Sequence, residues 1–198
     1  TLWHTLSLHD ALPILLLPAA QSRGKEAINR EQMKELVSRL APDYDYVVID
    51  CPAGIEMGFQ NAIAPATEAI IVTTPEVAAV RDADRVIGLL EANSISNTKL
   101  IVNRVKPEMI QMNNMMSVED ILDILSVPLI GIVPDDERII VSSNRGEPLV
   151  LEEKLSIPGQ TFNNIARRIR GDEVSFLNLM DTQETLLKRI RRWFTEPL

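Results

Sequence analysis

The chain has 198 residues, with 20 Lys and Arg against 28 Asp and Glu, one cysteine and 45% hydrophobic residues, which suits one soluble globular domain long enough to bury a core. The net charge of −8 argues against a nucleic-acid binder, whose phosphate contacts need a basic surface, and against adhesion to an anionic membrane by bulk charge. A lone cysteine excludes a disulfide framework and a cysteine zinc site within the chain and predicts a reducing, intracellular setting, and no apolar run approaches the ~20 residues of a membrane span.

Residues 1–14 stand apart. They hold both histidines, His4 and His9, together with Trp3, and show no helical or strand period. The run TLSLHDALPI over residues 5–14 looks like translated adapter sequence of the kind that contaminates assembled genes. The native protein is therefore expected to begin near Ile14 or Leu15, and no catalytic or metal role is assigned to the two histidines.

From Ile14 onward short apolar runs alternate with helical patterns. Ile14 to Leu17 is a continuous apolar run stopped by Pro18. Asn29 to Leu40 follows a helical period, with Met33, Leu36, Val37 and Leu40 on one face. Tyr46 to Ile49 reads as a strand buried on both faces, and Ala69 to Val72, Leu100 to Val102 and Leu129 to Val133 are further β-type runs. A helix is predicted to open near Thr74-Pro75-Glu76, with Val80, Ala83, Val86, Ile87 and Leu90 at helical spacing. Another opens at Ser117 with Asp120 three residues on, a capping-box pattern, and buries Ile121, Leu122 and Leu125. Between them the methionines 109, 112, 115 and 116 read as a pliable loop beside the Ser117 helix, although methionine also suits a partner surface. Strand and helix alternating at this spacing predict an α/β fold, a mostly parallel sheet flanked by helices.

Ligands of such sheets sit beyond the carboxyl ends of the strands, which directs attention to Asp50, Thr73-Thr74, Asn103-Arg104 and Pro134-Asp135. Asp50-Cys51-Pro52-Ala53-Gly54 is the most informative. A carboxylate closing a strand can orient metal-bound water, and a glycine amide can approach a terminal phosphate closely. The same residues also suit an acidic turn shaped by Pro52 and Gly54.

VVIDCPAGIE (47–56), TTPEVAAVRDADR (73–85), MSVEDIL (116–122), IGIVPDD (130–136), SNRGEP (143–148) and a basic amphipathic C-terminus follow one another as in the MinD family of deviant P-loop, ParA-like ATPases, which the chain resembles from Leu15 to its end. The resemblance implies a P-loop NTPase fold and ATP hydrolysis with Mg²⁺. Asp50 would be the acid acting on magnesium through water, and Pro52, Ala53 and Gly54 the switch segment that senses the terminal phosphate. Asn103, Arg104, Pro134 and Asp135 would wall the nucleotide base. Asp82 and Asp84 would contact the division inhibitor MinC on a surface overlapping that of the regulator MinE, although as residues alone they also suit a solvated helix face. The resemblance further implies an ATP-bound homodimer and a peripheral location on the inner face of the plasma membrane, or its plastid equivalent. Two other readings stay open: a non-catalytic membrane-tethered adaptor, and a related ParA-type partition or placement ATPase.

One feature of the family is absent from these 198 residues. Nothing meets G-x-x-x-x-G-K-[ST], and Arg23-Gly24-Lys25-Glu26 lacks both the repeated glycines and the hydroxyl residue. Roughly a hundred residues carrying the phosphate loop are expected to precede Leu15 in the parent protein, counted from the βαβ units needed. Expressed alone, the present chain is expected to aggregate and not to retain or hydrolyse ATP.

The tail has a pattern of its own. Leu186, Leu187, Ile190, Trp193 and Phe194 fall on one helical face, flanked by Lys188, Arg189, Arg191 and Arg192. Residues 185–198 thus carry +3 and residues 1–184 carry −11. Residues 181–198 are therefore predicted to form an in-plane helix on an anionic membrane surface, after an ATPase-type domain over residues 15–180. One copy binds marginally, since ~1 kcal/mol per cation and partial apolar burial are set against the ordering of the segment. Two copies in a dimer raise avidity by ~10²–10⁴.

Overall fold

A computed structural model of the chain describes residues 14–18, 28–52 and 54–179, in two compact units, Thr1–Pro65 and Ala66–Leu198.

In the first unit, helix α1 (Arg30–Leu40) starts where sequence predicts. Asn29 caps it reciprocally with Gln32: its side chain accepts from the Gln32 N–H at 2.9 Å, and its own N–H donates to the Gln32 side chain at 3.0 Å. Satisfying two otherwise orphaned donors in this way contributes about 1 kcal/mol. A second helix not foreseen from sequence, α2 (Met57–Ile63), buries Phe59, Ala62 and Ile63. The two helices meet through the Arg30 guanidinium, which donates to the Gln60 side chain at 2.7 Å, and the Asn61 amide, which donates to the Ile28 carbonyl at 2.6 Å.

One expected strand differs here. Tyr46 to Ile49 belongs to no strand, and Val48 is 90% exposed. Of the run Ile14 to Leu17, only Ile14 forms an isolated bridge. A β-run becomes a strand only when a neighbour takes up its backbone N–H and C=O groups, and apolar character supplies no such neighbour.

The second unit holds a three-stranded parallel sheet in the order β1 (Ala69–Thr73), β2 (Thr98–Val105), β3 (Leu129–Pro134). Helix α3 (Val77–Ala92) connects β1 to β2, and the short α4 (Pro107–Gln111) with α5 (Val118–Leu125) connects β2 to β3. Parallel neighbours require such crossovers, because the chain must return to its starting end. Leu100 and Val102 on the central strand are fully buried, and α3 packs Val80, Ala83, Ile87 and Leu90 inward as the spacing predicts. Burial of each of the larger of these side chains contributes ~1.5–3 kcal/mol.

The α3 start differs in detail. Glu76, not Thr74, is the N-cap and makes no side-chain cap bond, while the Thr74 hydroxyl donates to the Glu76 carboxylate at 2.7 Å. The Ser117 capping box forms as predicted, with Ile121 and Leu125 buried below it. On β1 only Ile71 and Thr73 are buried, whereas Ile70 and Val72 are 44% and 60% exposed, so its two faces are not equally covered.

Helix α6 (Glu137–Arg145) follows β3, then a 3₁₀ turn (Leu149–Leu151) and α7 (Ile157–Ile169). The last lies against β3 through Ile165, which joins Ile130 and Val133 in a core flanked by Ile101, Ile139 and Ile169. The approach is close: a β-carbon on Gly131 would lie 2.4 Å from Ile165 Cδ1, so any larger residue at that position must displace Ile165.

Beyond α7 the chain returns to the sheet under one side chain. Arg168 donates to the carbonyls of Ile130 (2.9 Å), Val174 (2.9 and 3.0 Å) and Ser175 (2.9 Å), and its guanidinium lies 4.0 Å from the centre of the Phe176 ring. Desolvation lowers the Arg168 pKa from its ordinary value, yet an arginine stays charged at any working pH. Among the described residues no helix is long and apolar enough to cross a membrane. The predicted amphipathic helix, with Leu186, Leu187, Lys188, Ile190, Arg191, Trp193 and Phe194, lies outside the described residues.

Candidate functional site

The carboxyl ends of β2 and β3 bring four predicted residues together. From Val102 to Val105 the register advances three residues on β2 against two on β3, from Ile132 to Pro134, so one extra residue bulges on β2. A bulge re-aims the side chains it carries, and those carried here are Asn103 and Arg104. Arg104 adopts a left-handed backbone, φ 58°, a conformation that costs a non-glycine residue about 1–3 kcal/mol and that collects at functional sites. The Asn103 side chain supports it by accepting from the Arg104 N–H at 2.9 Å.

Past the bulge the ladder resumes. Val105 pairs with Pro134, and the Asp135 N–H donates to the Val105 carbonyl at 3.0 Å. The Asp135 carboxylate then meets Lys106 Nζ at 2.9 Å, while Arg104 Nε is 3.8 Å away. Sequence reasoning passed over Lys106. The signal was weak, since Lys106 lies just past the end of β2 and meets Asp135 only across the neighbouring strand. The adjoining Asp136 caps α6 by accepting from the Arg138 N–H at 2.9 Å. The Arg138 guanidinium hydrogen-bonded to it holds its carboxyl below the usual carboxylate range.

The cluster offers an amide, a planar cation and a neutralised carboxylate on one sheet edge, groups that suit the polar edge and flat face of a nucleotide base. Of the methionines read as a loop, Met109 lies in α4 and Met112 caps its end. The Lys106 N–H donates to Met115 Sδ at 3.4 Å, and the Met116 N–H donates to the Pro75 carbonyl at 3.4 Å, while Met112 is 69% exposed. Asp82 and Asp84 lie on the exposed side of α3.

In the other unit Asp50 is exposed, in a segment without regular secondary structure. Pro52 lies over the backbone of Gly58 in the first turn of α2, and Gly54 has φ +93°, which favours glycine. Ala53 lies outside the described residues. The Cys51 thiol is pushed above its ordinary pKa, first by desolvation and then by the Asp50 charge, which makes it a poor nucleophile. Among the described residues no group of three His, Cys, Asp or Glu gathers to hold a metal. A single carboxylate is what an acid acting through metal-bound water needs, because Mg²⁺ keeps several waters and takes its other ligands from phosphates. The residues present therefore fit the base and the metal-bound water, while the phosphate-cradling glycine loop is not in this sequence.

A family profile described as ParA, NUBPL iron-transfer P-loop NTPase, matches residues 23–170. The septum site-determining protein MinD of Synechocystis sp. is 66% identical over 179 residues, 90% of this chain and 67% of that protein. The chain thus spans about two thirds of the length of that relative. Among solved structures, the MinC:MinD cell division protein complex of Aquifex aeolicus matches with 46% identity and a TM-score of 0.72, covering 76% of this chain and 63% of that one. The septum site-determining MinD of Pyrococcus horikoshii complexed with Mg-ADP matches with 27% identity and a TM-score of 0.63, covering 71% and 56%. A parallel sheet with its polar cluster at the carboxyl edge, joined to two-thirds identity with a septum-site protein, leaves one assignment: the chain belongs to the MinD family of ParA-type P-loop NTPases.

Proposed function

We propose that this chain is the base-binding and switch portion of a membrane-cycling ATPase that places the division site. The observation that carries this is the strand-end cluster of Asn103, Arg104, Pro134 and Asp135, at the sheet edge where α/β folds hold nucleotides. In this reading ATP and Mg²⁺ bind with the base at that cluster. Asp50 acts on magnesium through water, and Pro52, Ala53 and Gly54 report the terminal phosphate. The ATP-bound form is a homodimer whose two tails hold it at the cytoplasmic face of the membrane, where it recruits MinC. MinE-stimulated hydrolysis separates the dimer and releases it. The neighbouring structure with Mg-ADP supports the nucleotide, the MinC:MinD complex supports MinC as partner, and the exposure of Asp82 and Asp84 suits a partner surface.

A chimera tests this, with the N-terminal third of the Synechocystis relative joined to this chain from Leu15. It is expected to hydrolyse ATP faster when MinE and anionic vesicles are added. Asp135→Ala should raise the KM for ATP about tenfold, the effect of losing ~1.4 kcal/mol of binding. Trp193→Glu should abolish sedimentation with vesicles. A chimera that folds but shows no turnover defeats the ATPase reading in favour of a passive adaptor, and unchanged vesicle binding in Trp193→Glu removes the membrane role of the tail.

A further inference from the structure

We infer that Lys106 is a positioning residue of the base wall, the clasp that sets its two halves in register; this rests on the reading of that wall as the nucleotide-base site. The wall is divided between two strands, with Asn103 and Arg104 on β2, and Pro134 and Asp135 just beyond β3. The bulge leaves their relative position poorly fixed by the ladder, since one residue of β2 has no partner across it. Only the bonds past the bulge restore the register: the Val105–Pro134 pair, the Asp135 N–H to the Val105 carbonyl, and the Lys106 to Asp135 ion pair.

The distances divide the labour between the two cations. Lys106 Nζ is 2.9 Å from one carboxylate oxygen of Asp135, a charge-assisted hydrogen bond. Arg104 Nε is 3.8 Å from the other, too far for a hydrogen bond. The Arg104 side chain is also the more exposed, at 65% against 41% for Lys106. Lys106 therefore holds the aspartate, and the Arg104 guanidinium keeps its donors and its flat face for a ligand. Lys106 is anchored in turn, because its N–H donates to Met115 Sδ. Without the lysine ammonium, Asp135 turns to Arg104, the group the ligand needs, and the strand ends part.

The test uses the chimera and two readouts. In the nucleotide-free protein, Lys106→Met is expected to speed hydrogen exchange at the Asp135 amide about tenfold. Binding of a fluorescent ATP analogue should weaken about fivefold, while competition by inorganic tripolyphosphate, which has no base, stays unchanged. Lys106→Arg should restore analogue binding to within about twofold, and in an Asp135→Asn background Lys106→Met should add no further loss, because the two act as a pair. If Arg104→Ala weakens the analogue but Lys106→Met does not, the clasp is wrong and the base wall stands. Equal loss of tripolyphosphate binding, or full loss persisting in the Asp135→Asn background, also overturns the clasp, since Lys106 would then touch the ligand itself. If Asn103→Ala and Arg104→Ala both leave the analogue binding unchanged, the base wall and the clasp fall together.

Discussion

Replacing Arg168 by methionine is expected to destabilise the protein by about 2–4 kcal/mol and to free the segment after α7 from the sheet. The guanidinium reaches carbonyls of Ile130, Val174 and Ser175 and lies against Phe176. Hydrogen bonds to a charged group contribute ~1.5–3 kcal/mol net, and a cation on an aromatic face adds ~0.5–1 kcal/mol when exposed. The register of β2 against β3 steps from Leu100–Leu129 to Ile101–Gly131, which leaves Ile130 as the extra residue of β3. Its carbonyl is the one that Arg168 takes, and methionine would leave that bond unmade. Arg168→Lys should keep most of the loss, because a point ammonium cannot span donors set in a planar fork. Urea denaturation of the chimera followed by circular dichroism measures the change, and hydrogen exchange over residues 172–179 shows the release. A variant within 0.5 kcal/mol of the parent, roughly the spread of an ordinary surface substitution, would rule out the clamp.

Gly131→Ala is expected to cost about 2–3 kcal/mol, an unusually large effect for one added methyl group. The new carbon would lie 2.4 and 2.5 Å from Cδ1 and Cγ1 of Ile165 and 3.5 Å from Ile101 Cγ1. Ile165 is 6% exposed and packed among Ile130 and Val133, so it has little room to turn, and α7 must shift off the sheet. The double variant with Ile165→Ala separates this clash from loss of strand flexibility. If packing is the cause, the double variant is more stable than the sum of the two single losses predicts, because alanine at 165 removes the atoms that collide. Strict additivity in urea denaturation would place the cost elsewhere.

Much of the second unit was legible in the sequence. The runs at Ala69, Leu100 and Leu129 became the three strands, and the period of Val80, Ala83, Ile87 and Leu90 became the buried face of α3. Ser117 with Asp120 became the capping box. These signals are local: side-chain period, a short polar residue at a helix start, and apolar runs between turns. Asn103, Arg104, Pro134 and Asp135 were singled out by the rule that ligands lie beyond strand ends, and by resemblance. Helix α7 gave a weaker signal, since its buried positions are Pro158, Gly159, Thr161 and Ile165, a set with one large aliphatic side chain.

The remainder was decided by contacts between residues far apart in the chain. Tyr46 to Ile49 has the composition of a buried strand and is not one, because hydrogen-bonded pairing needs a second backbone that composition does not name. The unequal faces of β1, with Ile70 and Val72 outward, depend on where α3 packs. Lys106 shows the same limit at the site, for its partner Asp135 is 29 residues away and reaches it only after a bulge shifts the register by one. By itself the sequence determined the family, the three strands of the second unit and the helices α1, α3 and α5, since their periods and caps are local pattern. The tertiary structure alone decided which runs pair, which faces are covered and which cation holds Asp135, since each requires two distant segments to meet at a defined distance.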